Sequence, residues 1–158
     1  MRWIWIDRFV EFVPGRRAVA IKNVSLAEEH LHDHWEDYPV MPASLMIEGM
    51  AQTAGILVGQ ARGFKEKVIL AKITKAEFDD IVVPGDQVTF QTEIENLTAE
   101  AASVRGSVLR NGQEIGRISL MFSHIDQNLA GVKFPEENFV FTGLFERLIA
   151  PLLGGKDA

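Results

Sequence analysis

Residues 42–61, PASLMIEGMAQTAGILVGQA, constrain this chain more than any other stretch. The spacing predicts a helix. Pro42 suits the first helical position, where its missing N–H costs nothing, and Gly63 is a plausible stop. Leu45, Met46, Ile47, Met50, Ala51, Ala54, Ile56, Leu57 and Val58 leave almost no polar side. A helix that is apolar nearly all round belongs inside a domain. Twenty residues span about 30 Å, roughly the width of a small domain. Other elements must therefore wrap it.

The flanks supply strands. Trp3, Trp5 and Phe9 have apolar neighbours, which predicts a strand buried on both faces. Pro14-Gly15 marks a turn, and residues 17–24 return as a second strand. After the helix, residues 68–78 carry Val68, Ile69, Leu70 and Ile73, and Val83-Pro84-Gly85-Asp86 reads as a turn. Val88, Phe90, Thr92 and Ile94 then alternate with Thr89, Gln91, Glu93 and Glu95, a half-buried strand with a wet face. Residues 103–110 and 115–123 flank Asn111-Gly112, a strong hairpin signal. Two strands, a buried helix and about four more antiparallel strands make an α+β domain, most simply a sheet wrapped around the helix. We expect that domain to span residues 1–125. Residues 126–158 form a C-terminal extension, in which Leu144, Phe145, Leu148, Ile149, Leu152 and Leu153 fall at helical spacing around Pro151. That short amphipathic helix is expected to pack on the domain.

Charge narrows the partners. Sixteen Lys and Arg face 22 Asp and Glu, a formal charge of −6. A general polyanion binder is basic, so nucleic acid is not an expected partner. There are no cysteines, which excludes disulfide scaffolds, thiolate metal sites and Cys nucleophiles and fits a cytoplasmic protein. No stretch approaches the roughly 18 apolar residues of a membrane span. The start, MRWIWIDRF, does not read as a signal peptide.

The helix carries one polar stripe. Ser44, Glu48 and Gln52 are spaced by four and share a face. Desolvation disfavours the charged form of a carboxylate, which suits a general acid near neutral pH. A face that meets water or a structural partner would carry the same stripe. Upstream, strand alternation would set His30, His32 and His34 on one face, so a metal site is one reading. No H-E-x-x-H signature completes it, and one catalytic histidine with two bystanders is the preferred reading. Pro39 and Pro42 stiffen the chain from His34 into the helix. The first helical N–H groups, near Ala43 and Ser44, lack intrahelical partners and favour negative charge. A base, an acid and an oxyanion-binding amide thus converge within fifteen residues. β-Elimination beside a thioester carbonyl needs that set.

The segment HWEDYPVMPASLMIEGMAQTAG resembles the helix motif of the (3R)-hydroxyacyl-[acyl-carrier-protein] dehydratases, roughly H-F-P-x-x-P-x-x-P-G-x-L-x-x-E-A-x-A-Q. IDRFVEFVPGRRAVAIKNVS is similar to that family's opening hairpin, and FDDIVVPGDQVTF to its strand after the helix. The resemblance implies a hot-dog fold, no metal or organic cofactor, and a homodimer that can assemble further as three dimers. Each site would combine His34 of one subunit, as base, with Glu48 of the other, as acid. The Ala43 amide would bind the oxyanion, with Ser44 and Gln52 beside the substrate. An acyl carrier protein would deliver that substrate on phosphopantetheine. Rival readings are a hot-dog thioesterase or hydratase on coenzyme A esters, and a catalytically silent acyl-binding subunit. This chain departs from the motif at Asp33, Glu36 and Ala43. Asp79-Asp80 replaces a basic pair on the side where the acidic carrier docks in relatives. Residues 62–75 hold Arg62, Lys65, Lys67, Lys72 and Lys75 against Glu66; such a patch reads first as solvated surface, and Arg62, Lys65 and Lys67 are the candidate docking cations if a carrier binds there.

Overall fold

The computed structural model describes residues 3–33, 35, 37–128, 131, 132 and 143–152. In chain order the elements are β1 (Arg8–Val13), β2 (Arg17–Asn23), α1 (His30–Asp33), α2 (Ala43–Ala61), β3 (Val68–Phe78), β4 (Gln87–Leu97), β5 (Ala101–Arg110), β6 (Gln113–His124), α3 (Ile125–Asn128) and α4 (Gly143–Ile149). The strands form one antiparallel sheet in the order β1-β2-β4-β5-β6-β3. The sheet curls around α2, which packs against β2, β3, β4, β5 and β6. This is the hot-dog arrangement.

Local chemistry explains the elements. Asn111 and Gly112 both have positive φ, 50° and 88°, as the tight turn between β5 and β6 requires. Val88, Phe90 and Thr92 point into the core while Thr89, Gln91 and Glu93 are half-buried on the other face, so the alternation of β4 is as read. Met46, Met50, Ala54, Ile56, Leu57 and Val58 of α2 are all buried. Each large side chain in such a core contributes about 1.5–3 kcal/mol. Gly49 sets the distance between helix and sheet, because a Cβ there would lie 2.4 Å from Phe90 Cζ. Pro42 is the residue before the helix, extended at ψ 140°, rather than its first turn.

One further expectation changes. The first strand is not buried on both faces. It starts at Arg8, lies at one edge of the sheet, and buries only Phe9 and Phe12. Trp3 and Trp5 precede it, Trp3 exposed and Trp5 buried. The other edge is β3, whose residues 69–77 are all exposed, including Ile69, Leu70 and Ile73. In the C-terminal extension, Ile149 is buried in the core cluster and α4 packs on β1. Pro151 falls in a short turn of 3-10 helix after it. The side chains of Leu144 and Phe145, and the whole of Leu153, lie outside the described residues. No described helix is long and apolar enough to cross a membrane.

Candidate active site

Helix α2 places Glu48 and Gln52 one turn apart, and the N-terminal segment crosses them. Glu48 Oε1 accepts two hydrogen bonds, from the Trp3 indole Nε1 and from Gln52 Nε2, both at 3.0 Å. Gln52 in turn accepts from the Trp5 backbone N–H at 2.8 Å and donates to the Trp3 carbonyl at 3.2 Å. Both side chains are half-buried. They form the polar end of a cleft of about 340 Å³ whose other walls are apolar: Trp3, Ile56, Leu70 and Phe122, with Gly55 and Val68 between. A carboxyl group held by neutral donors at the polar end of an apolar cleft is placed to exchange a proton with a group bound there.

Ala43 and Ser44 face elsewhere. They line a second cleft, of about 540 Å³, with Trp35, Met41, Phe78 and Asp80. The chain enters it through a turn at Asp37, which has φ 61°; Asp tolerates that left-handed region better than most residues. The Met41 N–H then donates to Val82 O at 2.8 Å, pinning the entry to the loop before β4. No described residue accepts from the Ala43 or Ser44 N–H, as expected of a first helical turn. His34 and Glu36 lie outside the described residues. Within one chain, then, Glu48 meets Gln52 and Trp3, Ala43 meets Ser44, and the two groups occupy different clefts.

The three-histidine strand face is corrected. His30 and His32 lie in the short helix α1, where residues two apart point in different directions. His30 packs edge-on against Trp5, with centroids 5.1 Å apart, and lies 3.8 Å from Glu28. The ring of His32 bonds to the Leu26 carbonyl at 2.6 Å. Among the described residues no group of three or more His, Asp or Glu could hold a metal ion.

The docking patch is corrected as well. Lys67 is buried, not a surface cation: its Nζ and its backbone N–H both bond to the Asp126 carboxylate, at 3.0 and 2.7 Å. That backbone N–H first, and then the ammonium, hold the Asp126 carboxyl below the usual carboxylate range against the opposing effect of burial. Arg62 donates to the Thr98 carbonyl at 2.6 Å, while Lys65 is exposed. Asp79 and Asp80 do not form a bare negative pair either. Arg117 lies 3.5 Å from Asp79, and Arg110 lies 2.7 Å from Asp80. The Ile81 backbone N–H, and then Arg110, lower the Asp80 carboxyl. Sequence reasoning assigned Trp3 to a buried strand and missed its contact with Glu48. The available signal was the indole N–H, a donor that seeks a partner wherever the ring is packed.

Comparison with known proteins bears on the family and the fold. The model of the FabA-like domain matches residues 3–119. The chain belongs to the FabA-like family. The 3-hydroxyacyl-[acyl-carrier-protein] dehydratase FabZ of Caldanaerobacter subterraneus subsp. tengcongensis is 38% identical over 122 residues, 76% of this chain and 86% of the relative. The Listeria monocytogenes FabZ is 34% identical over 125 residues, 78% of this chain and 87% of its own. Among solved structures, the dehydratase heterocomplex ApeI:P from Xenorhabdus doucetiae matches this FabA-like chain with TM-score 0.66 at 14% identity, covering 81% of this chain and 90% of that one. A mutant of the phenylacetic acid degradation protein PaaI from Thermus thermophilus matches with TM-score 0.60 at 15% identity, covering 74% and 91%. At those identities the structures speak for the fold alone.

Proposed function

We propose that this chain dehydrates (3R)-3-hydroxyacyl thioesters, carried on an acyl carrier protein, to trans-2-enoyl thioesters in fatty-acid or related lipid biosynthesis. The observation that carries the reading is Glu48, a carboxylate held by the Trp3 and Gln52 N–H groups at the polar end of an apolar cleft. Its place in the helix motif, and the FabZ dehydratases that resemble this chain, supply the chemistry. His34 takes the proton from C2. The Ala43 N–H stabilises the enolate-like oxygen. Glu48 protonates the departing hydroxyl, and water leaves. The reaction needs no redox group and no metal.

The separation of the two clefts supports a homodimer. Glu48's cleft is walled by Val68, Ile69 and Leu70, at the start of β3, whereas Ala43's cleft reaches Phe78, at its end. Antiparallel pairing of β3 with β3 of a second copy sets the start of one strand beside the end of the other. Glu48 of one copy then faces the Ala43 end of its partner's α2, the end that His34 precedes in sequence. Of the three cations first considered for carrier docking, Lys65 is the one left exposed for the task, beside the half-buried Arg62.

The test is a product assay on 3-hydroxyacyl thioesters of carrier protein and of coenzyme A. Enoyl thioester without free thiol is expected; free thiol as the product overturns the reading in favour of a thioesterase. His34→Ala is expected to lower turnover by at least about 10²-fold, with little change for His30→Ala or His32→Ala. Mixing His34→Ala with Glu48→Gln protein restores activity if subunits share the site. No recovery in mixed dimers confirmed by mass analysis rules the shared site out.

A further inference from the structure

We propose that Trp3 is a positioning residue for Glu48, and that it decides which carboxylate oxygen carries the proton to the substrate. The proposal rests on the dehydratase reading above. Glu48 Oε1 accepts from both Trp3 Nε1 and Gln52 Nε2. An oxygen that accepts two N–H groups is a poor place for a proton. Among the described residues nothing bonds to Oε2. Oε1 is therefore the pivot, and Oε2 is the atom that delivers. In the elimination the electrons of the C2–H bond become the C2–C3 double bond, and that proton goes to His34. The C3–O bond breaks toward oxygen, the Oε2–H bond breaks, and its proton completes the leaving water.

Gln52 cannot fix the carboxylate alone. It stands on the same helix, one turn away, and tethers Glu48 only along the helix axis. Trp3 reaches in from outside the helix. Its backbone is tied to Gln52 by the bonds at Trp3 O and Trp5 N, and its ring rests edge-on against buried Trp5, with centroids 5.4 Å apart. An indole has only two side-chain torsions, so little more is needed to hold it. The ring is 57% exposed. It gives its N–H to a carboxylate although water could take it. The same ring is one wall of the apolar cleft, so its two roles separate on substitution: phenylalanine keeps a wall and loses the donor.

The experiment compares Trp3→Phe, Trp3→Ala and each of these with Glu48→Gln. A hydrogen bond to the charge that develops on Glu48 as its proton leaves, discounted for exposure, corresponds to about a tenfold effect. Trp3→Phe is expected to lower kcat about tenfold and leave KM within about twofold, while Trp3→Ala lowers kcat as much and also raises KM. In the Glu48→Gln background Trp3→Phe is expected to add nothing. The indole ¹H–¹⁵N resonance that disappears in Trp3→Phe should move in Glu48→Gln, a readout that needs no turnover. If that resonance moves but the wild type turns over no hydroxyacyl thioester, the dehydratase reading falls and the contact stands. If the wild type is active and Trp3→Phe matches its kcat, the proposal is overturned. An equal loss with and without Glu48 marks a purely structural role and overturns it too.

Discussion

Gly49 follows the candidate acid on α2 and faces the most tightly buried ring of β4. Substituting Gly49→Ala puts a Cβ 2.4 and 2.5 Å from Phe90 Cζ and Cε2, and 3.1 Å from the Trp5 carbonyl. Carbon atoms rest about 3.5–4.0 Å apart, so the overlap exceeds about 1 Å. Phe90 is 0% exposed, so its ring cannot swing out into solvent. Either the ring leaves its rotamer or the helix backs away from the sheet. Overpacking of this kind costs about 1–3 kcal/mol, and so large an overlap on a closed ring belongs at the upper end. Replacing a helix-interior glycine by alanine returns about 1 kcal/mol. The net expectation is a loss of about 2 kcal/mol, or a thermal midpoint lowered by about 4–8 °C for a chain of this length.

The assay is thermal unfolding followed by circular dichroism, run as a cycle with Phe90→Leu. The smaller side chain should absorb the new methyl group, so Gly49→Ala costs at least about 1 kcal/mol less in that background. Catalysis should suffer too. A helix displaced by about 1 Å carries Glu48 with it, and a misplacement of that size can lower kcat by about 10²-fold. A Gly49→Ala protein that melts at or above the wild-type midpoint refutes the argument. So does a cost that Phe90→Leu leaves unchanged.

Two further outcomes follow from the same structure. Asp126 is held below its usual range by the Lys67 backbone N–H and ammonium, so its stabilisation is complete above the unfolded value, about pH 4, and is lost as pH falls through the folded one; urea titrations should show wild type losing more stability than Asp126→Asn below about pH 4, and parallel curves would count against the pair. Ile73→Lys puts a charge in the middle of the exposed β3 edge, and edge lysines block strand pairing; sedimentation should find monomers with little dehydration activity, whereas an intact, active dimer would place the subunit contact elsewhere.

Much of the fold was legible because its signals are local. The near-continuous apolar run of α2 required a wrapping, and the alternation in β4 and the Asn111-Gly112 turn set the strands that supply it. The errors fell where a local pattern has two spatial meanings. Trp3 and Trp5 read as strand because they are large and apolar, yet they precede β1 and lie over the helix's polar stripe, where one indole uses its N–H. Histidines at alternate positions share a face only in a strand; His30 and His32 lie in α1, where the period is 3.6 and they diverge. Lys67 read as surface because lysine usually is, and only its distant partner Asp126 explains its burial. The pairing of Asp79 with Arg117 and of Asp80 with Arg110 was invisible for the same reason. Sequence shows a charge but not what folds back onto it.

The candidate site is built in two halves, and each is set within one chain before any partner arrives. Trp3, Gln52 and the Trp5 N–H close a network around Glu48. The positive φ of Asp37 and the Met41–Val82 bond fix the approach to Ala43. A site divided between subunits gains from such preparation, because ordering loose groups at the moment of association would oppose both assembly and catalysis. The exposed edge of β3 lies between the two halves, with Glu48's cleft at its start and Ala43's at its end. Under the pairing proposed above, two such edges would bury Ile69, Leu70 and Ile73, satisfy the open backbone groups, and bring Glu48 to the partner's Ala43 N–H in one step. On this reading the edge that would be an aggregation liability in a monomer is the element that completes the enzyme, and the register of β3 against β3 would set the distance between Glu48 and the partner's Ala43 N–H.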